Sequence, residues 1–475
     1  MTDGSGMTDG SSMTDVGDLT GGSGVEVLTA ADAEVRQCRV AGALLDDGLV
    51  PGDRVVFCLP SSAALLCAVL GALRVGIVPV LLNATLLDAE RDLLAFDAEP
   101  RLVVTDAAGL ARLDRGPVAT LASYPLARPM HFTSGTTGRA KGVWSGVWDD
   151  DTAAAALDDE ALLWSFGPDD VHLVCSPMYH SVSIRFAGGT LLAGGTCVIL
   201  QHFDAATAAA VLDGAFGPVP TTTFLAPSAL TRLLALPDNE PERFARLRLL
   251  VHAGSPCPPA LKRAAFAVVP PDTLWEFYGS TEGQFTVCSP AEWLDRPGTV
   301  GRARAGRTLS VDDDGTVWCR PPAFSRFTYW GDEAKTDAAW RDGSFTVGDL
   351  GRLDDDGYLY LDGRRDDLVI TGGVNVYPAE VEAALCDVPG VEEVAVFGVA
   401  DDAWGQRVCA AVVADGTTEP DAVLAALADH ATEALAGYKR PKQYALVDEL
   451  PRTATGKVRR LALPGVLGLE GALPR

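Results

Sequence analysis

The chain has 475 residues, 48% of them hydrophobic, and a formal net charge of −26. That length exceeds what a single hydrophobic core organises, so two or more domains are expected. The acidic balance argues against nucleic acid or an anionic membrane as a partner, and any anionic ligand must be held by a local site working against the overall field.

Residues 1–24 repeat a six-residue unit, "MTDGSG MTDGSS MTDVGD LTGGSG". A stretch so rich in Gly, Ser and Asp has nothing to bury and reads as a disordered tail. Helix and strand then alternate from residue 25 to about 104. "AEVRQCRVAGALLDDGL" has helical spacing and "RVVFCLP" reads as a short apolar strand. "SSAALLCAVLGALRVG" opens on cap-type serines and closes on glycine, as helices do. "IVPVLLN" is a strand, "LLDAERDLLAFDA" a helix and "RLVVTD" a strand. The apolar run through residues 63–82 is broken by Arg74 and Gly76, which favours helix-then-strand over a membrane span.

The same rhythm continues through "DVHLVCSP", "GTCVILQ", "TTTFLAP", "LRLLVHAG" and "LWEFYGS". It predicts an α/β fold built on a largely parallel sheet covered by helices, with ligands beyond the carboxyl ends of the strands. After about residue 300 the texture changes to Asp-Gly turns between short strands, as in "SVDDDGTVWCR" and "GRLDDDGYLYLDGR", which read as hairpins. From residue 381 a smaller helix–strand alternation resumes, consistent with a small α+β domain of about 110 residues. The ten cysteines form no CxxC pair and most lie in apolar runs, so they read as buried reduced thiols of a cytoplasmic protein. The six histidines show no metal-ligand spacing.

"HFTSGTTGRAKGV", residues 131–143, concentrates Gly, Ser and Thr before a lysine. Gly135 and Gly138 let backbone N–H groups converge on an anion, with hydroxyls from Thr133, Ser134, Thr136 and Thr137 and a point charge from Lys141. The spacing is not that of a Walker loop. Taken alone, the stretch reads equally as a phosphate loop or a turn. It has company, however. "YGSTEG" covers residues 278–283, "FTVGDLGRLDDDGYLYLDGRRDD" 345–367, "TGGVNVYPAEVE" 371–382 and "PRTATGKVRR" 451–460. In this order and separation the five motifs resemble those of the adenylate-forming superfamily of acyl- and aryl-CoA synthetases, peptide-synthetase adenylation domains and luciferases.

That resemblance implies a large N-terminal domain at 25–362 and a small mobile C-terminal domain at 363–475, turning on a hinge at Asp366 between two half-reactions. In the first, an acid attacks the α-phosphate of Mg·ATP; in the second, a nucleophile displaces AMP. By the same resemblance residues 133–141 close over the β- and γ-phosphates and Tyr278 lies against the adenine, which the loop holding Gly254 and Ser255 edges. Thr281 bonds the α-phosphate or the acid, Glu282 holds Mg²⁺, Asp349 grips the ribose and Arg364 assists. Lys457 reaches between the acid and the α-phosphate, where a positive charge counts most as the new bond forms. His180 and Arg185 in "SPMYHSVSIRF", with Gly279, fall where the family lines its acid pocket; His180 reads equally as a satisfied core group, and Arg185 also as a local salt-bridge partner.

Two departures stand out. Ala140 replaces the proline usual before the loop lysine, and "GVWSGVWDDD" replaces a His- and Asn-containing stretch. The acceptor stays open: the Gly372-Gly373 hairpin resembles that of CoA-using members, whereas some relatives pass an activated acid, even nitrite, to an amine. A non-catalytic nucleotide-binding protein is a third reading, against which the retained Glu282 and Lys457 argue.

Overall fold

The structure is a computed structural model and describes residues 24–133, 140–237, 240–371, 374–401, 404–452 and 458–469. Its largest element is an eight-stranded sheet in the order Val25–Thr29, Thr196–Leu200, Val171–Val174, Thr222–Phe224, Leu249–His252, Leu274–Gly279, Gln284–Cys288, Arg302–Ala303. The central pairings are parallel, as the helix–strand alternation predicts, and both margins are antiparallel. At one margin the reversal follows from connection length. Gln284–Cys288 returns through a turn of a few residues, too short for the crossover that parallel neighbours need.

A second, wholly parallel sheet joins Val78–Leu82, Arg54–Cys58 and Leu102–Val104. Helix Ala63–Leu73 lies almost entirely in the core; Ser62 starts it by accepting from the Leu65 N–H at 3.1 Å. Leu66, Leu70 and Val69 on this helix are fully buried, each contributing about 1.5–3 kcal/mol. No helix among the described residues is long and apolar enough to cross a membrane. All ten cysteines are free thiols and seven are buried.

The Asp-Gly hairpins form as read: Thr308–Val311 pairs antiparallel with Val317–Arg320, and Asp349–Leu353 with Leu359–Arg364. Beyond them a separate C-terminal sheet runs Val374–Val376, Val369–Thr371, Gly405–Ala414, Val391–Asp401, with Gln443–Leu446 added parallel to Gly405–Ala414. Helices Pro378–Leu385 and Pro420–Ala434 cover it through Val381, Leu385, Val423 and Leu427, giving this part its own core.

Candidate active site

The parallel strands Leu249–His252 and Leu274–Gly279 are neighbours, and both end on the same side of the sheet. Past the first, Gly254 adopts a left-handed φ of +93° and turns the chain, leaving Ser255 exposed. At the end of the second, the Tyr278 hydroxyl donates to Asp349 Oδ2 at 2.6 Å. Antiparallel register sets Asp349 directly opposite Arg364, whose Nε donates to Asp349 Oδ1 at 3.0 Å. Burial, reinforced by the Asp349 carboxylate, pushes the Tyr278 phenol well above its usual range. Three residues that the motif reading assigns to adenine and ribose therefore touch one another.

The chain then reverses through residues 280–283, with Ser280 N–H donating to the Gly283 carbonyl at 2.8 Å. A Cβ on Gly279 would stand 2.9 Å from that same oxygen, so only glycine fits. The turn presents Thr281, whose carbonyl accepts from Arg128 Nη2 at 2.9 Å, and the buried Glu282. Glu282 Oε1 accepts from the Tyr329 hydroxyl at 2.9 Å. Burial first, then the neighbouring Glu282 carboxylate, raises the Tyr329 phenol. Burial lowers the Lys335 ammonium against the pull of Glu282 and Asp332. No group of three His, Cys, Asp or Glu among the described residues is arranged to hold a metal. One buried hard carboxylate is instead the donor set that suits Mg²⁺ arriving on nucleotide phosphates, since that ion keeps phosphate and water ligands.

The Gly/Thr stretch hangs from a closed hairpin. Thr133 pairs with Lys141 at the open ends of His131–Thr133 and Lys141–Trp144, and Thr328–Tyr329 adds a third strand. This small sheet brings the base of the stretch to Tyr329 and hence to Glu282. Lys141 Nζ lies 3.3 Å from Asp332 Oδ2. Ser134, Gly135, Thr136, Thr137 and Gly138 lie outside the described residues, as does Lys457. The segment carrying Lys457 also springs from a closed base, bridged between Arg452 and Val458, with Arg459 N–H on the Pro451 carbonyl at 2.7 Å.

On the other side of the Leu274–Gly279 strand, His180 begins helix Ser181–Leu192, its ring 4.5 Å from that of Tyr179. Arg185 on this helix stands over the Phe277 ring at 5.2 Å, with Nε 3.4 Å from Glu160 Oε2. The local salt bridge read for Arg185 therefore exists, as part of a larger network that sequence reasoning missed. Arg304, 2% exposed, spans Asp159 and Glu160; Arg307 doubles on Asp159; Gln284 Nε2 donates to Glu160 Oε1 at 2.7 Å. Burial alone would raise the Glu160 carboxyl, but Arg185 and Arg304 hold it at about 2. Nothing in "GRARAGR" separates such buried arginines from a solvated basic run. The one available signal is the acidic run Asp158-Asp159-Glu160 in the middle of the Ala- and Leu-rich helix Asp150–Trp164.

The AMP-binding enzyme family model matches residues 17–124 and 129–322, and that of the AMP-binding enzyme C-terminal domain matches residues 380–457. The chain is 32% identical over 456 residues to a 2-succinylbenzoate–CoA ligase of Bacillus licheniformis, covering 89% of this chain and 91% of that one. Among solved structures it resembles ATP-bound MatB from Rhodopseudomonas palustris (TM-score 0.78, 31% identity, 92% and 93% of the two chains). It also resembles o-succinylbenzoate CoA synthetase (MenE) from Bacillus subtilis in complex with its acyl-adenylate intermediate (TM-score 0.78, 26% identity, 91% and 92%). With both its large nucleotide-binding part and its C-terminal part matched, this chain belongs to the AMP-binding enzyme family and is an AMP-forming, acid-activating ligase.

Proposed function

We propose that the protein joins a carboxylic acid to AMP at the expense of ATP, releasing pyrophosphate, and then transfers the acyl group to the thiol of coenzyme A. The observation that carries this reading is the meeting of Tyr278, Asp349 and Arg364 beside the turn that presents Thr281 and Glu282. A carboxylate oxygen attacks the α-phosphorus and the bond to the β-phosphate oxygen breaks. The thiolate sulfur then attacks the acyl carbon and AMP leaves, the thiol proton passing to solvent. Two anions must meet in the first step, so catalysis is chiefly positioning and charge neutralisation.

In this reading Tyr278 and the Gly254–Ser255 turn flank the adenine. Asp349, pre-set by Tyr278 and Arg364, takes the ribose hydroxyls. Thr133, Ser134, Gly135, Thr136, Thr137, Gly138 and Lys141 hold the outer phosphates. Thr281 donates to the reacting oxygens, and Lys457 adds the charge that strengthens as the mixed anhydride forms. Glu282 would hold Mg²⁺, which supplies further neutralisation of the phosphates. His180, Arg185 and Gly279 line the acid pocket.

The chain divides into an adenylating domain at 25–362 and a cap at 363–475, with Asp366 as hinge. Support comes from its two neighbours. The Arg365 N–H bonds the Gly348 carbonyl at 2.9 Å and its guanidinium reaches Thr316, whereas Asp367 is held by Arg460 at 3.1 Å, which also clasps Glu382. Residue 366 therefore lies between an anchor on each side, which concentrates any rotation on its backbone. For the acceptor, register sets Thr371 opposite Gly405, so the exposed Ile370, Val374 and Trp404 offer apolar surface suited to an organic arm; Gly372 and Gly373 themselves lie outside the described residues. A cytoplasmic setting agrees with ten free thiols. The test is exchange of labelled pyrophosphate into ATP over a panel of acids, followed by loss of CoA thiol with AMP release. Absence of exchange with every acid defeats the activation step; untouched CoA thiol alongside consumption of an amine defeats the choice of acceptor.

A further inference from the structure

The turn that carries Thr281 is held on several sides. It closes on itself through Ser280 N–H and the Gly283 carbonyl, and Glu282 is fixed by the Tyr329 hydroxyl. A further tether comes from a remote part of the chain: Arg128 Nη2 donates to the Thr281 carbonyl at 2.9 Å, across 153 positions. The Thr281 hydroxyl has no hydrogen-bond partner among the described residues and is not enclosed. Arg128 therefore grips the backbone and leaves the hydroxyl for a ligand.

The base from which Arg128 reaches is stiff. Pro129 disfavours helical backbone at the residue before it. On one side, Leu126 N–H bonds the Leu73 carbonyl and Ala127 bridges Val147; on the other, Met130 N–H bonds the Pro79 carbonyl and Met130 bridges Val80. The side chain is thus a strut from the edge of the sheet containing Val78–Leu82 to the turn beyond Leu274–Gly279.

Charge pairing does not account for the residue. Its charged neighbours, in order of influence, are Arg185, Glu160, Glu282 and Arg307, so the foremost is another cation. No carboxylate lies within ion-pair distance of it among the described residues, and its Nε and Nη1 are neither bonded nor enclosed there. Burial first, then Arg185, lowers the guanidinium to about 10, so it stays charged near neutral pH. A half-buried cation beside a second one gains little stability from charge. What it gains is the Thr281 carbonyl.

We infer that Arg128 is a positioning residue for acid activation, holding Thr281 by its carbonyl so that the hydroxyl stays turned toward the reacting oxygens. This rests on the contact proposed above between Thr281 and those oxygens.

The test reads the tether and the chemistry separately. In amide hydrogen exchange followed by mass spectrometry, Arg128→Ala should speed exchange at residues 280–283 by about tenfold to a hundredfold, the size of one hydrogen bond to a charged group, and leave Leu249–His252 unchanged. Unchanged protection of the turn overturns the inference. In pyrophosphate exchange, the same variant should lose about tenfold or more in kcat with its KM for ATP within about threefold, while thioester formation from a supplied acyl-adenylate stays near wild type. Arg128→Lys, which can still donate, should recover part of the loss. Added to Thr281→Val, Arg128→Ala should cost less than about twofold further, because it acts through the hydroxyl. Losses that multiply in full overturn the inference, as does equal loss in both half-reactions, which marks a general disturbance of the fold. Should Arg128→Ala fail to fold, Arg128→Gln takes its place in both measurements. Should no acid drive exchange, the acid-activating reading falls, and protection of residues 280–283 alone decides the tether.

Discussion

Asp349→Ala tests the proposed ribose end of the site. In the free protein Asp349, 7% exposed, receives Tyr278 at 2.6 Å and Arg364 at 3.0 Å; with nucleotide bound it would also accept from the ribose hydroxyls. Each bond to an ionised carboxylate is worth about 1.5–3 kcal/mol. Losing a pair from ribose therefore costs about 3 kcal/mol, or roughly a hundredfold in kcat/KM for ATP. Stability falls by a different route. The Tyr278 hydroxyl is stranded, at about 1–3 kcal/mol, whereas Arg364, 41% exposed, gives up only about 0–1 kcal/mol. Initial rates of pyrophosphate exchange, with ATP and acid varied in turn, separate the two substrates, and a urea midpoint measures the stability cost. Tyr278→Phe keeps the carboxylate, so it should weaken ATP use by less than about tenfold, and the double variant should fall short of additivity by about 1–2 kcal/mol. A variant whose KM for ATP stays within about twofold while its KM for acid climbs would show that Asp349 serves the acid, and the ribose assignment would be wrong.

Lys457→Ala should slow adenylate formation by more than about a thousandfold yet leave thioester formation from a supplied acyl-adenylate near wild type; equal loss in both steps contradicts the assigned role. Asp366→Pro should fix the backbone between the Arg365 and Asp367 anchors and depress one half-reaction selectively, measured by exchange and by CoA-thiol consumption; two normal half-reactions refute the hinge. Glu160→Ala should cost about 3–5 kcal/mol in denaturant unfolding, because it leaves Arg304 and Arg185 facing an unfilled space. The Glu160 carboxyl is depressed from 4.5 to about 2, so its contribution is complete above pH 4.5 and drains away as pH falls toward 2. A wild-type stability curve matching that of the variant across this window would show the network to be neutral.

The motifs of the proposed nucleotide site were legible because their chemistry is written in contiguous residues. A turn that must hug a phosphate or pass close to its own backbone dictates its composition, as at residues 278–283, where Gly279 and Gly283 leave no room for a side chain. Helix–strand alternation likewise reported the parallel centre of the sheet, since each strand's burial is encoded in its own few residues. What the sequence left out is long-range pairing. Arg304 meets Glu160 across 144 positions and Tyr329 meets Glu282 across 47, and no local pattern distinguishes either from a surface residue. Charge is a property of the residue, but burial and the count of acceptors around it belong to the packed fold. The five motifs thus identified an ATP-using ligase from the chain alone, while only tertiary packing set Arg185 over Phe277 and beside Glu160, in a network of buried charges.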